Sequence, residues 1–241
     1  SIEPWDVPRA VGREMWQDVR IFFGEFCRRH YTTGAIVPSG RFLAAALARY
    51  VAEPGCGGRR ILEVGPGTGA VTRRIIAVMR PEDHLDLVEV NERFVARLQV
   101  LFQTDPLFRR VAARSRVLHC PVETLDGQGQ YDLIVSGLPL NNFPPETVEN
   151  ILGVMSRLLK PGGTISFFQY IALRAMRMAV SGRSQRRRLR GVRDAIHKLL
   201  DGGEVRRDWI WLNVPPWGGY HVRVVQPTQT DYKCTEKGFG A

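Results

Sequence analysis

Hydrophobic positions along the chain follow two different spacings, and these predict strands and helices in alternation. Apolar residues three or four positions apart predict helices over 42–51, 71–79, 94–102 and 146–159. Short continuous apolar runs predict strands over 61–64, 85–90, 117–119, 133–135, 165–170, 209–214 and 220–225. Strands that alternate with helices and close on a late hairpin are typical of a doubly wound α/β fold. We therefore predict a mainly parallel, seven-stranded sheet with an antiparallel edge strand.

The pattern also divides the chain into segments. Residues 1–52 form a predicted N-terminal helical extension with a lid, 53–226 the main domain and 227–241 a polar tail. Within the extension, 13–30 has apolar and aromatic residues on one helical face and arginines on the rest. That helix either packs on the core or lies at a membrane surface, and periodicity does not separate the two.

The segment 61–72, ILEVGPGTGAVT, predicts a strand, a tight turn and a helix. Glycine suits such a turn because it adopts positive φ and lets a ligand approach the backbone closely. The N–H groups at the following helix start suit an electron-rich ligand. Glu89 ends the next predicted strand, where a carboxylate can accept hydrogen bonds from both hydroxyls of a ribose. These features predict a ligand that contains a nucleoside.

Two nucleoside ligands are compatible with this turn. Gly65, Gly67 and Ala70 satisfy the dinucleotide pattern G-x-G-x-x-G/A, which is a weak signal by itself. However, Glu63 and the series Gly65, Gly67, Gly69 resemble motif I of class I S-adenosylmethionine (SAM) methyltransferases, E-x-G-x-G-x-G. The stretches YDLIVSGLP at 131–139 and LLKPGGT at 158–164 resemble the fourth-strand motif of that family and its lead into the fifth strand.

The resemblance implies that SAM is the cofactor and S-adenosylhomocysteine the product. In that family the glycine loop wraps the methionine part, the acid after the second strand holds the ribose, and residues after the third strand lie beside the adenine. Glu123 would accept a hydrogen bond from the adenine amino group, whereas a lone charged residue at this position is more often a solvated loop acid. The cofactor-binding residues implied are Glu63, Gly65, Pro66, Gly67, Thr68, Gly69, Glu89, Val90, Asn91, Pro121, Val122, Glu123 and Ser136.

The net charge of the chain indicates which classes of binding partner to expect. The formal net charge is +10, which favours anionic surfaces such as nucleic acid or acidic lipid. Residues 173–207 form an insertion with ten arginines, one lysine and three acids, but no aromatic residues for stacking bases. Phosphate binding beside hydrocarbon suits this composition better than base recognition. The four cysteines form no metal-ligand or C-x-x-C pattern, so we predict no metal and reduced thiols.

The residues after the fourth strand specify the relationship further. The stretch SGLPLNNF at 136–143 is similar to that of bacterial phospholipid N-methyltransferases, which methylate phosphatidylethanolamine stepwise with SAM. TGAIVPSG at 33–40 and the arginine-rich insertion are further similarities. The resemblance implies a peripheral enzyme at the cytoplasmic face of a membrane, acting on a primary amine. Tyr31, Ser136, Gly137, Leu138 and Tyr170 would orient the amine. The lipid phosphate would be held by Arg186, Arg187, Arg188 and Arg190.

Three alternatives stay open. An amino-acid-headed lipid such as an ornithine lipid also presents a primary amine. The family of rRNA adenine N6-dimethylases has a similar glycine loop and basic surfaces, but Ser136 stands where that family has Asn or Asp, so nucleic acid is not the favoured partner. A scaffold that binds lipid without turnover is a non-enzymatic alternative, and SAM affinity would distinguish it.

Overall fold

The structure is a computed structural model that describes residues 38–53, 57–140, 143–169, 187, 190–196, 204–210 and 217–223. The predicted helix over 13–30, the segment 33–37, Tyr31, Tyr170, Arg186 and Arg188 lie outside the described residues, as does the tail. Predictions that rest on them therefore stay predictions.

The described chain alternates strands and helices as its periodicity predicts. The helices are α1 (Pro38–Leu47), α2 (Ala70–Val78), α3 (Glu92–Thr104), α4 (Pro106–Arg109) and α5 (Pro145–Leu158). Short 3₁₀ turns cover Arg49–Val51, Ala112–Arg114 and Val122–Thr124. The strands are β1 (Arg60–Val64), β2 (His84–Val88), β3 (Ser115–Leu118), β4 (Tyr131–Ser136), β5 (Leu159–Gln169), β6 (Glu204–Ile210) and β7 (Trp217–Arg223).

The seven strands form one sheet in the order β3-β2-β1-β4-β5-β7-β6. Strands β1 to β5 pair in parallel, whereas β7 is antiparallel to both β5 and β6. The predicted fold class is confirmed. In the sheet register Val64 lies opposite Val88 on one side and Ser136 on the other. The carboxyl ends of β1, β2 and β4 therefore meet at one edge, where ligands bind in open parallel sheets.

Both faces of the sheet are covered, which explains why its central strands are continuous apolar runs rather than alternating ones. Ile61 and Leu62 point to opposite faces of β1, and neither is exposed. One face packs against α5 through residues such as Met155, and the other packs against α1 to α4 through residues such as Leu98. No helix in the described part of the chain is long and apolar enough to cross a membrane.

The late hairpin corrects two predicted boundaries. Strand β6 begins at Glu204 and not at 209, and β7 begins at Trp217 and not at 220. Residues 204–207, assigned to the basic insertion by charge, are therefore strand. The reason is the register of the strands. Residues Gly218 to Arg223 of β7 pair with β5, and the whole of β7 pairs with β6, from Trp217 opposite Ile210 to Arg223 opposite Glu204. Pairing with a neighbour decides where these strands begin, and the local apolar pattern does not.

Candidate cofactor-binding site

The glycine loop between β1 and α2 needs glycine for conformational reasons. Gly65, Gly67 and Gly69 have φ values of 71°, 56° and 86°, in the left-handed region where side chains are strained. Gly69 is also the N-cap of α2 and supplies no side-chain acceptor to the first turn of that helix. The backbone N–H groups of Gly65, Gly67 and Gly69 are bonded within the protein, to Val88, Glu89 and Pro66. The first turn of α2, which has no side-chain cap, is therefore the part of this segment that suits an electron-rich ligand.

Glu89 fastens this loop to the end of β2. It is 1% exposed, and its two carboxylate oxygens accept hydrogen bonds from the backbone N–H groups of Gly67 at 3.0 Å and Asn91 at 2.9 Å. Burial raises the pKa of Glu89, although these N–H donors and His119 oppose the rise. Each oxygen keeps acceptor capacity for another donor, as binding to ribose hydroxyls requires. The sequence indicated the ribose role but not the bond to Gly67, which joins positions far apart along the chain.

Gly137 allows the loop after β4 to lie against the glycine loop. Its backbone N–H donates to the Val64 carbonyl at 2.8 Å, and a Cβ at this position would stand 2.6 Å from the Gly65 carbonyl oxygen. Ser136, directly before it, is fully buried, and its hydroxyl accepts a hydrogen bond from the Leu138 N–H at 3.3 Å. The structure therefore explains Gly137 and Ser136 by close backbone packing. A direct contact with substrate stays a prediction for both.

A mostly apolar cavity of about 440 Å³, part of it open to solvent, lies beside these loops. Six of the predicted site residues line it: Gly65, Glu89, Val90, Val122, Glu123 and Leu138. Two acids, Glu89 and Glu123, line this cavity in an otherwise basic chain, and burial raises the pKa of Glu123. This arrangement favours a ligand that combines apolar surface with positive charge.

The cavity also has a wall that the sequence analysis missed. Phe143, Thr147 and Ile151 line it from α5 and the turn before it, and all three are buried. Thr147 and Ile151 are four positions apart, so they share one face of the helix. The helical spacing indicates a buried face, but it does not say whether that face meets the sheet or a ligand.

The remaining predicted residues that the structure describes do not line the cavity. Asn91 is the N-cap of α3 and accepts a hydrogen bond from the Arg93 N–H at 3.0 Å. Arg187 and Arg190 are exposed, and their proposed lipid contacts stay predictions. The predicted residues outside the lining are Glu63, Pro66, Gly67, Thr68, Gly69, Asn91, Pro121, Ser136 and Gly137.

Glu63 is the most unusual of these side chains. It is fully buried between β1 and α2, and neither carboxylate oxygen has a hydrogen-bond partner within the described residues. Burial raises the pKa of Glu63 to about 8, and the Glu89 carboxylate adds to that rise. Thr72 is close enough to oppose the shift, yet its hydroxyl also lacks hydrogen-bonding geometry. With its pKa near 8, the Glu63 carboxyl is mostly protonated at neutral pH, so it is a neutral buried acid close to the glycine loop.

Residues 61–163 match the profile of a family described as methyltransferase domain. The chain carries a SAM-dependent methyltransferase domain. SAM is accordingly its cofactor. Two features of the site fit this cofactor. The Glu89 carboxylate can accept further hydrogen bonds, and the space beside Gly67, where another residue would have its Cβ, is open to 4 Å. No group of three metal-ligating side chains occurs in the part of the chain that the structure describes.

Proteins with a similar sequence match different lengths of this chain. An ornithine lipid N-methyltransferase from Singulisphaera acidiphila is 28% identical over 152 residues, which are 62% of this chain and 77% of that protein. A ribosomal RNA small subunit methyltransferase A from Synechococcus is 35% identical over 100 residues, which are 42% of this chain but only 34% of that protein.

Solved structures share the fold at low identity. A 1,6-didemethyltoxoflavin-N1-methyltransferase from Burkholderia thailandensis has a TM-score of 0.62 at 18% identity, covering 92% of this chain and 94% of that one. The N-methyltransferase NodS from Bradyrhizobium japonicum has a TM-score of 0.59 at 19% identity, covering 78% of this chain and 89% of that one. Both were solved with S-adenosylhomocysteine.

Proposed function

We propose that the protein transfers the methyl group of SAM to the primary amine of a membrane lipid head group. The observation that carries this proposal is the length of the match to the ornithine lipid N-methyltransferase, which extends over 77% of that protein. The net charge of +10 supports it because lipid surfaces in bacteria are commonly anionic. The match also favours an amino-acid-headed lipid over phosphatidylethanolamine, which the sequence motifs placed first and which no comparison supports.

The residues of this chain act mainly by positioning and by excluding water. SAM, when bound, supplies a methyl group on a positively charged sulfur. Glu89 would bind the ribose, and the glycine loop, which has open space at Gly67, would lie against the methionine part. Val122, Phe143 and Ile151 keep the cavity apolar and therefore poorly hydrated. Such fixed placement is the largest contribution that a site can make when the leaving group is already activated.

The amine must lie in line with the methyl group and present a free lone pair. Backbone carbonyls at Ser136–Leu138, which follow β4 beside the glycine loop, would accept hydrogen bonds from its N–H groups. A new C–N bond forms as the C–S bond breaks, and the proton of the nitrogen passes to water or to a nearby acceptor. Tyr31 and Tyr170 stay candidates for orienting the same nitrogen.

A second candidate function is methylation of adenine in ribosomal RNA. The 35% identity to a ribosomal RNA methyltransferase favours it, although the matched stretch is about a third of that protein. The match to the ornithine lipid N-methyltransferase is longer, at 152 residues, but its sequence identity is lower. A direct assay must therefore separate the two functions.

The assay offers methyl-labelled SAM to the full chain with ornithine lipid, phosphatidylethanolamine or ribosomal RNA in separate reactions. We expect the label in the ornithine lipid. Label in phosphatidylethanolamine alone would correct the head group, and label in RNA alone would refute the lipid function. The Glu89→Ala variant should lose incorporation with every acceptor, which controls for labelling by a contaminating enzyme.

A further inference from the structure

Four exposed arginines belong to α3, to α4 and to the residue directly after α4, and we call them together the α3–α4 basic surface: Arg93, Arg97, Arg109 and Arg110. The two helices belong to the same layer over the sheet. Leu98 of α3 and Phe108 of α4 lie in one apolar cluster, and both approach Gly69 at the start of α2. These arginines lie far along the chain from the basic insertion and carry no predicted role.

These four arginines differ in their pairing from five other arginines of the domain. Arg59, Arg60, Arg73, Arg80 and Arg116 each form an ion pair with an aspartate. None of the four arginines of the α3–α4 basic surface has a carboxylate partner within the described residues. The described contact of Arg97 is with a carbonyl oxygen, that of Thr68, at 3.4 Å. Unpaired like charges repel one another, so an external anion would stabilise them.

The same face of α3 carries one exposed apolar side chain, that of Val100. Val100 is 54% exposed and follows Arg93 and Arg97 at helical spacing, so the three share one side of the helix. The aromatic residues of α3 and α4 point inward, since Phe94 and Phe102 are half-buried and Phe108 is buried. Arginines beside an exposed valine suit phosphates at the surface of a bilayer. Platforms for stacking unpaired bases are missing from these two helices.

The α3–α4 basic surface also borders the candidate site. Helix α3 begins directly after Asn91, whose N–H donates to Glu89, and Arg97 contacts the glycine loop at Thr68. A bilayer against this surface would therefore lie near the carboxyl edge of the sheet, where the cavity opens. We propose that the α3–α4 basic surface docks the enzyme on an anionic lipid bilayer. This orientation rests on the proposed lipid substrate, whereas docking itself does not.

The test measures binding of the full chain to phosphatidylcholine vesicles with and without phosphatidylglycerol. Each basic residue near such a surface contributes about 1 kcal/mol, so Arg93→Gln with Arg109→Gln should weaken binding to the anionic vesicles about 30-fold. Arg97 is left intact because it touches the glycine loop. The charge-preserving variant Arg93→Lys with Arg109→Lys should bind almost as tightly as the wild type, since the attraction is to charge at the surface.

The matched control is Arg49→Gln with Arg157→Gln, which removes the same charge from two exposed positions elsewhere. We expect it to weaken vesicle binding much less. Equal losses in both double variants, or no loss in the Arg93 and Arg109 variant, would overturn the proposal. Circular dichroism and thermal melting verify that each variant is folded, which matters most for the control because Arg157 donates hydrogen bonds to the carbonyl groups of Leu125 and Gly127.

Two further measurements separate this inference from its rivals. If ribosomal RNA binding falls about 30-fold in the Arg93 and Arg109 variant while vesicle binding is unchanged, the surface is an RNA interface and the proposal is wrong. Methyl transfer to lipid in neutral detergent tests the proposed function separately. Transfer in detergent with charge-independent vesicle binding would refute docking alone, whereas charge-dependent docking without any lipid methylation would refute the function alone.

Discussion

Replacing Glu89 tests the cofactor site most directly. The carboxylate is buried and holds the N–H groups of Gly67 and Asn91 at 3.0 and 2.9 Å, so its oxygens are fixed before the cofactor arrives. A hydrogen bond to a charged group contributes about 1.5–3 kcal/mol, so Glu89→Ala should raise the Kd for SAM about 10- to 150-fold. Isothermal titration calorimetry on the folded variant measures this.

The Glu89→Ala result needs two controls because the same carboxylate also holds the loop. Glu92→Ala removes an exposed acid from the first turn of α3 and should leave the Kd nearly unchanged. Glu89→Gln keeps an acceptor but places an NH₂ group against one of the two N–H donors, so we expect intermediate affinity. If Glu89→Ala binds SAM as tightly as the wild type while remaining folded, Glu89 does not hold the ribose and our assignment of the site is wrong.

Three further predictions concern the loop, the buried acid and the amino-terminal edge of the sheet. Gly67→Val should abolish SAM binding by filling space beside the loop at φ 56°, whereas Gly153→Ala, in open space on α5, should bind SAM normally and gain about 0.5–1 kcal/mol of stability. Because the folded pKa of Glu63 is raised from 4.5 to about 8, its stabilising contribution is present at low pH and declines as pH rises through that range. Urea unfolding of Glu63→Gln should lack this decline, and parallel pH profiles for the two proteins would contradict it. Burial alone would raise the pKa of Asp83, but hydrogen bonds from Arg59 and from the Arg80 and Arg59 N–H groups lower it to about 2, so its contribution is present above pH 3.8 and lost as pH falls through 2. Asp83→Leu should cost about 3–5 kcal/mol near neutral pH because Arg59 loses its carboxylate partner and keeps only backbone carbonyl acceptors. A loss below about 1 kcal/mol in urea unfolding would refute this.

The sequence by itself was sufficient for the fold class and for the glycine turn between β1 and α2. Both depend on local signals: the apolar runs of β1 and β2, the periodicity of α2, and glycines whose positive φ few other residues adopt. Because parallel strands place their carboxyl ends at one edge, locating Gly65 and Glu89 at strand ends also predicted that they would be near each other.

Contacts between distant segments were decided only by the tertiary structure. The bond from Gly67 to Glu89, the close approach of Gly137 to Gly65 and the wall formed by Phe143 depend on how neighbouring elements pack, and no local pattern encodes them. The start of β6 depends in the same way on the register of β7.

Charge shows the same division. The sequence shows an excess of arginines in 173–207, but it does not show which arginines of the chain form ion pairs with carboxylates. In the folded domain Arg59 and Arg116 are neutralised by aspartates 24 and 30 positions away, whereas Arg93 and Arg109 are left exposed without such partners among the described residues. Pairing depends on distance in space, because the attraction between two charges falls off with their separation and with exposure to water. The surface available to an anionic partner is therefore a property of the fold and not of the composition.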